Sequence, residues 1–369
     1  MTEIRGVWIA NRPHSKVLES RSNIIEALDF LHSYGFNTIF PVVWNRGYTL
    51  YPSQVMSQYN LTAIDPYYQK QQRDPLAEII TEAQQRQIKV IPWLEYGFAA
   101  SHLADGGHIL KTYPHWQAID RERAKVRHGG LTWMNGFHPQ VQQFMLDIIT
   151  EIVSKYDVDG IQGCDRLPAM PATAGYDSHT KEKYQSDFDR QPPSNYSNRE
   201  WIQWRANLLT EFLSQMYREV KNIKPKAIVS LSPAVYPFCL DNLLQDSQAW
   251  VEKGLCDIIH PQIYRSDFSA YDKEVKKIVK TFDRQSLPKF APGIAFTANG
   301  KDVSHKDLIK CIKANRDRTF SGQIFFHYEG LRKNNDATAI ALFKSANRDP
   351  MASLPKFLQS IYAWIRHHG

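Results

Sequence analysis

Three carboxylates in this chain each close a short run of β-forming residues: Glu95 after "KVIPWL", Asp165 after "VDGIQGC" and Glu329 after "GQIFFHY". Paired carboxylates at such positions suit glycoside hydrolysis, in which one acid protonates the leaving oxygen and the other attacks the sugar or activates water. Asp165 with Glu95 is the first choice of catalytic pair, and Glu329 is the reserve. Each acid also has a plainer role open to it, as half of an ion pair that holds a loop, for example Asp165 with Arg166 or Arg46. Side chains suited to a sugar gather at the same run ends: Trp44, Asn45, Tyr96, Gln162, Arg166, Tyr264 and His327, with His138 further along a loop. Aromatic faces stack on sugar rings, but they also fill cores. The aromatic content of 12% therefore decides nothing alone.

Eight β-rich runs supply these positions: 4–10, 37–43, 89–95, 158–163, 227–233, 256–264, 289–296 and 322–329. A segment with apolar residues three and four apart follows each, at 22–34, 75–86, 139–156, 201–223, 241–253, 270–282, 306–316 and 337–346. Strands alternating with helices argue for parallel βαβ units. Eight units favour an α/β fold of the (β/α)8 TIM-barrel type, as a single domain over 3–349. An open doubly wound sheet uses the same unit. Residues 350–369 read as a C-terminal amphipathic helix. Long connections follow runs two, three and four, the last two spanning 96–137 and 165–200. In a barrel all three lie on the C-terminal face, where active sites sit. Strand parity puts Gln162 and Cys164 on one face, and likewise His327 and Glu329.

The composition removes several other classes. Apolar residues at 43% and charged residues at 22% exclude wholesale disorder. The net charge of +7 is scattered without a basic stripe, so no nucleic-acid partner is expected. Cys164, Cys239, Cys256 and Cys311 form no CxxC pair, and no calcium loop occurs. No metal, cofactor or disulfide framework is therefore expected. No run of 18 apolar residues suggests a membrane span. The opening "MTEIRGVWIAN" enters a strand directly. A cytoplasmic location is expected for the chain as written, and a periplasmic or secreted one if a leader has been trimmed.

Five stretches carry a resemblance: "EIRGVWIAN", "FNTIFPVVWNRGYTLYPSQV", "VIPWLEYGF", "WMNGFHPQVQQFMLDIITEIVSKYDVDGIQ" and "SLSPAVYPF". In this order they resemble glycosyl-hydrolase-like family 10, from about Glu3 to about Ala346. The resemblance implies a (β/α)8 barrel that hydrolyses a glycan, peptidoglycan strands stripped of peptides among the candidates. More distantly, "WMNGFHPQVQQFML…YDVDGIQGCD" is similar to the alpha-amylase segment that ends in a strand-four nucleophile. That similarity puts Cys164 where an acid is expected, directly before Asp165. Restoring the acid with Cys164→Asp is then expected to raise turnover. The alternative reading is a non-catalytic glycan-binding barrel. A metal-dependent hydrolase or lyase would need a His/Asp cluster, and His260 and His327 lack acidic companions apart from Glu329.

Overall fold

The computed structural model describes residues 3–344, so the expected C-terminal helix over 350–369 lies outside the described residues. Eight strand segments appear in the expected order: β1 (Ile4–Ile9), β2 (Thr38–Pro41), β3 (Lys89–Val90), β4 (Gly160–Cys164), β5 (Ile228–Ser232), β6 (Ile258–Ile259), β7 (Gly293–Ala295) and β8 (Gly322–Phe326). β1 pairs in parallel with both β2 and β8, and β2 with β3. β5 lies between β4 and β6, and β7 pairs with β8. Single parallel bridges supply the remaining links, Trp93 to Gln162 and Ile259 to Phe290. The parallel neighbours thus run from β1 around to β8 and back to β1.

Several strands are shorter than the sequence suggests. Pro92, Pro261 and Pro292 stand inside the expected third, sixth and seventh runs. Proline has no N–H to give to a ladder, so pairing there falls to isolated bridges at Trp93, Gln262 and Gly293. The N-terminal end of the ring has a repeated device. Asn37, Asp159 and Asp257 each sit just before an even strand. Their side chains accept N–H groups from the preceding odd strand: Arg5 at 3.1 Å, Val90 at 2.8 Å and Val229 at 2.7 Å.

The helices that follow the strands are α1 (Arg21–Ser33), α2 (Pro75–Gln85), α3 (Pro139–Lys155), α4 (Arg199–Ile223), α5 (Ser247–Glu252), α6 (Phe268–Thr281), α7 (His305–Asp317) and α8 (Tyr328–Ala339). Their starts obey capping chemistry. Ser20, Asp74, Asn198, Asp246, Asp267 and Ser304 each accept a backbone N–H of the first turn. α1 buries Ile24, Ala27, Leu28 and Leu31, one stripe at helical spacing. The eighth unit departs from expectation. β8 ends at Phe326, so His327 takes the N-cap position of α8 without a side-chain capping bond, and Glu329 lies in its first turn rather than on a strand face; the α8 backbone leaves the helical region at residues 333–336. An acid there is favoured by the helix dipole. The connection after β3 carries a small antiparallel sheet, and that after β4 carries a helix over Ser178–Phe188.

Inside the ring, Trp8 packs against Phe40, Trp93 and Phe326. A polar chain crosses this aromatic interior. Trp8 Nε1 donates to Gln162 Oε1 (2.7 Å), and Gln162 Nε2 donates to Ser230 Oγ (2.9 Å). The Ser230 hydroxyl is left to donate to His260 Nε2 (2.8 Å), and His260 Nδ1 donates to the Ala291 carbonyl (2.8 Å). Burial pushes the His260 pKa down to about 3 and keeps the ring neutral. Every link is satisfied, which is the condition for tolerating buried polar groups. No helix among the described residues is long and apolar enough to cross a membrane.

Candidate active site

Glu95 follows β3 and Asp165 follows β4, so two acids from neighbouring strands meet beyond the strand ends. One side chain joins them. Arg166 Nη2 lies 3.9 Å from Glu95 Oε1, and Arg166 Nη1 lies 3.7 Å from Asp165 Oδ2. The guanidinium is itself fixed, because its Nε donates to the Glu95 carbonyl at 2.5 Å. The side chains of Glu95 and Asp165 are 19% and 28% exposed, open enough to meet a ligand yet largely shielded from water. Burial raises the Glu95 pKa, and the Asp165 charge adds to the rise. Arg166 and the amide of Asn45 oppose it without cancelling it. A raised carboxyl pKa is the direction of shift a general acid needs.

A hydrogen-bonded line steadies Glu95 from the side of β1 and β2. Asn45 Nδ2 donates to Glu95 Oε2 (2.5 Å). Asn45 Oδ1 accepts from Arg46 Nε (2.8 Å) and from Asn11 Nδ2 (3.4 Å), and Asn11 Oδ1 accepts from the Tyr68 hydroxyl (3.1 Å). Asn11, Asn45 and Tyr68 are buried, so the line has no water to compete with it. Asn11 closes the stretch "EIRGVWIAN", but Tyr68 carries no motif that marks it in the sequence. Neither does His14. His14 lines a cleft of about 690 Å³ with Glu329 and Arg332.

The other expected site residues divide. Tyr96 is half-buried, with the Arg166 guanidinium 5.8 Å from its ring centre. Tyr264 stacks on Phe326 (5.2 Å, 24°), and after burial the Asp165 charge is the chief influence raising its hydroxyl pKa. Both therefore stand beside the acid pair. His327 Nδ1 donates to Glu329 Oε2 (2.6 Å), a separate pair at the start of α8. Trp44 is fully buried; its indole donates to the Gly97 carbonyl and its ring meets Phe144 of α3. It offers no face to a sugar. Gln162 is fully buried in the interior polar chain and does not reach the mouth. His138 caps α3 and neighbours His115 and His179. Cys164 is buried, with Sγ 3.3 Å from the Leu94 carbonyl and 3.1 Å from the Glu95 carbonyl. Burial raises its thiol pKa, the opposite of what a nucleophilic cysteine requires. Among the described residues, no group of three His, Cys, Asp or Glu could hold a metal ion.

Comparison with known proteins shows the family and the fold. The profile of the family described as glycosyl hydrolase-like 10 matches residues 3–297, which leaves β8, His327 and Glu329 beyond its end. Glycosyl hydrolase DigH of Escherichia coli K12 is 26% identical over 305 residues, 71% of this chain and 65% of that protein. Glycosyl hydrolase YngK of Bacillus subtilis is 25% identical over 314 residues, 73% of this chain and 56% of that one. The chain thus spans less than two thirds of the length of these curated relatives. Among solved structures, the glycoside hydrolase domain of PgaB (BpsB) from Bordetella bronchiseptica has a TM-score of 0.65 at 12% identity. That likeness covers 93% of this chain and 99% of the domain. The catalytic domain of β-amylase from Paenibacillus polymyxa has a TM-score of 0.64 at 8% identity, covering 94% and 99%. At such identities the likeness speaks for the fold alone.

Proposed function

Because the chain belongs to the glycosyl hydrolase-like 10 family, we propose that it hydrolyses O-glycosidic bonds of a glycan on a single (β/α)8 barrel over 3–349. Long loops after β2, β3 and β4 then form the cleft. Glu95 acts as general acid and protonates the departing oxygen. Asp165 is the second carboxylate, attacking the sugar or taking a proton from water. Arg166 lets two acids share one site by opposing their mutual repulsion. Asn45 holds Glu95, while Tyr96 and Tyr264 supply aromatic contact to the sugar. Glu329, paired with His327 at the start of α8, is the reserve acid. The observation that carries this reading is the single guanidinium reaching both acids, together with the raised pKa of one of them.

The substrate is a polysaccharide or related glycan, with peptide-free peptidoglycan strands a candidate. The test is release of new reducing ends from a panel that includes those strands. Turnover is expected in the wild type and a loss of at least about 10²-fold in Glu95→Gln and in Asp165→Asn. A second reading, a glycan-binding barrel without catalysis, is favoured by Cys164 standing where an acid is expected. That reading gains if wild type and both variants bind a glycan alike and none releases reducing ends.

A further inference from the structure

We propose that the cleft beside the turn after Asn45 is a subsite for a sugar residue carrying a carboxylate, an inference that rests on the hydrolase reading above. Trp44–Asn45 and Tyr48–Thr49 form a hairpin, and Arg46 and Gly47 make its two-residue turn. Both turn residues have positive φ, +55° at Arg46 and +80° at Gly47. This is the I′ type of turn, whose first position ordinarily goes to Asn, Asp or Gly. An arginine there costs local strain, and such outliers concentrate at functional sites. Gly47 itself has little choice, since a Cβ would sit 3.0 Å from the Ala100 carbonyl and 3.1 Å from Ile109. His108 Nε2 donates to the Gly47 carbonyl (2.7 Å) and its ring stacks on Tyr48 (4.3 Å, 12°), which pins the turn.

The pinned turn holds Arg46 over a cleft of about 460 Å³ that Arg12 and Lys111 also line, against Asp65 as the one lining carboxylate. The Arg46 Nε is engaged with Asn45, and Nη2 is 3.6 Å from Asp65. Its Nη1 has no partner among the described residues. Lys111 holds the exposed pair with Asp105, while Arg12 pairs with Glu19 and lies 3.6 Å from the Tyr67 ring centre. An exposed pair such as that of Lys111 is weakly held, so a ligand anion can redirect Lys111, while Arg12 adds its positive charge from a fixed place. A planar carboxylate matches the guanidinium fork in two parallel hydrogen bonds. The cleft is one side chain from the reaction centre, because Asn45 bonds both Arg46 and Glu95. A glycan with an acidic sugar at this subsite would thus present a neighbouring linkage to Glu95.

The experiment uses two tetrasaccharides, an oligogalacturonide and an N-acetylglucosamine–N-acetylmuramic acid strand, each beside its carboxyl-amidated form. Binding is measured by calorimetry at low and high salt, and reducing ends are followed in the same mixtures. At least one acidic form should bind about tenfold more tightly than its amide in low salt. High salt should shrink that preference. The preference should also collapse in Arg46→Asn, which relieves the strained turn and so keeps its fold, and should fall in Lys111→Gln. Equal binding of acid and amide for both sugars overturns the inference, as does a preference that survives Arg46→Asn. A charge preference without turnover would leave this subsite standing and defeat the hydrolase reading. Turnover without charge preference would do the reverse.

Discussion

The fate of one proton at Glu95 sets the pH behaviour of the proposed reaction. Burial raises the carboxyl pKa and the Asn45 amide lowers it. A general acid must be protonated, so kcat/KM should fall as pH rises through the raised Glu95 value. Asn45→Ala removes a bond that favours the charged form, and the fall should move to higher pH. A pH–rate profile of the two proteins checks this, and a shift to lower pH would contradict it. Cys164 gives a second prediction. Its Sγ faces two carbonyl oxygens, with the Arg166 N–H 3.4 Å away. A carboxylate in its place would meet those two oxygens, so Cys164→Asp should cost about 1–3 kcal/mol of stability without raising turnover. Cys164→Ser keeps a donor and should stay near wild type. A rate gain in Cys164→Asp would restore the expectation drawn from the alpha-amylase similarity. Residue type had placed Glu95, Asp165 and Arg166 on one rim, and they do meet. It could not say which way Trp44 and Gln162 turn. Trp44 found apolar partners under α3, and Gln162 found the indole of Trp8.

Among the elements, the connection after β4 is long, and one buried residue on α4 ties it down. Arg205 is fully buried, and its guanidinium donates to the carbonyls of Ala172, Ala174 (2.6 Å) and Tyr196 (2.7 Å), all in that connection. The Trp201 ring lies 4.4 Å from the same group. Arg205→Met keeps bulk but strips the buried carbonyls of Ala172 and Ala174 of their donor, at about 1–3 kcal/mol each if neither relaxes, and also the more exposed Tyr196 carbonyl. Chemical denaturation should show a loss of about 3 kcal/mol or more, and limited proteolysis should cut first within 165–198. An unchanged midpoint would mean that water replaces the guanidinium at no cost. The order of strands and helices was legible in the sequence because most of the helices carry a polar cap and apolar residues at helical spacing. The end of β8 was not. "FFHYEG" has strand-like residue types and no capping side chain ahead of Glu329, so nothing local marks the start of the helix.

For the whole molecule, the interior polar chain couples stability to pH. His260 is neutral inside the ring, with its pKa pushed down to about 3 from 6.5 by burial. Below pH 6.5 the unfolded chain takes up a proton that the folded chain refuses until about pH 3. The unfolded state therefore binds more protons across that window, and stability falls as pH falls through it. Each unit of the gap is worth about 1.4 kcal/mol. His260→Gln lacks the titrating ring and should flatten the decline, measured as unfolding free energy between pH 7 and pH 4; an equally steep decline in the variant would place its origin elsewhere. The ring of eight parallel segments matters to function because it brings the ends of β3 and β4 together, and with them Glu95 and Asp165. The roles assigned to those two acids separate on one substrate comparison. Take the sugar that the glycan panel identifies, and measure kcat/KM on its natural linkage and on its dinitrophenyl glycoside. The dinitrophenolate departs without needing a proton. Glu95→Gln should lose at least about 10²-fold on the natural linkage and far less on the aryl glycoside, while Asp165→Asn loses heavily on both. Equal losses of Glu95→Gln on the two substrates, or a wild-type rate on the natural linkage, would contradict Glu95 as the acid.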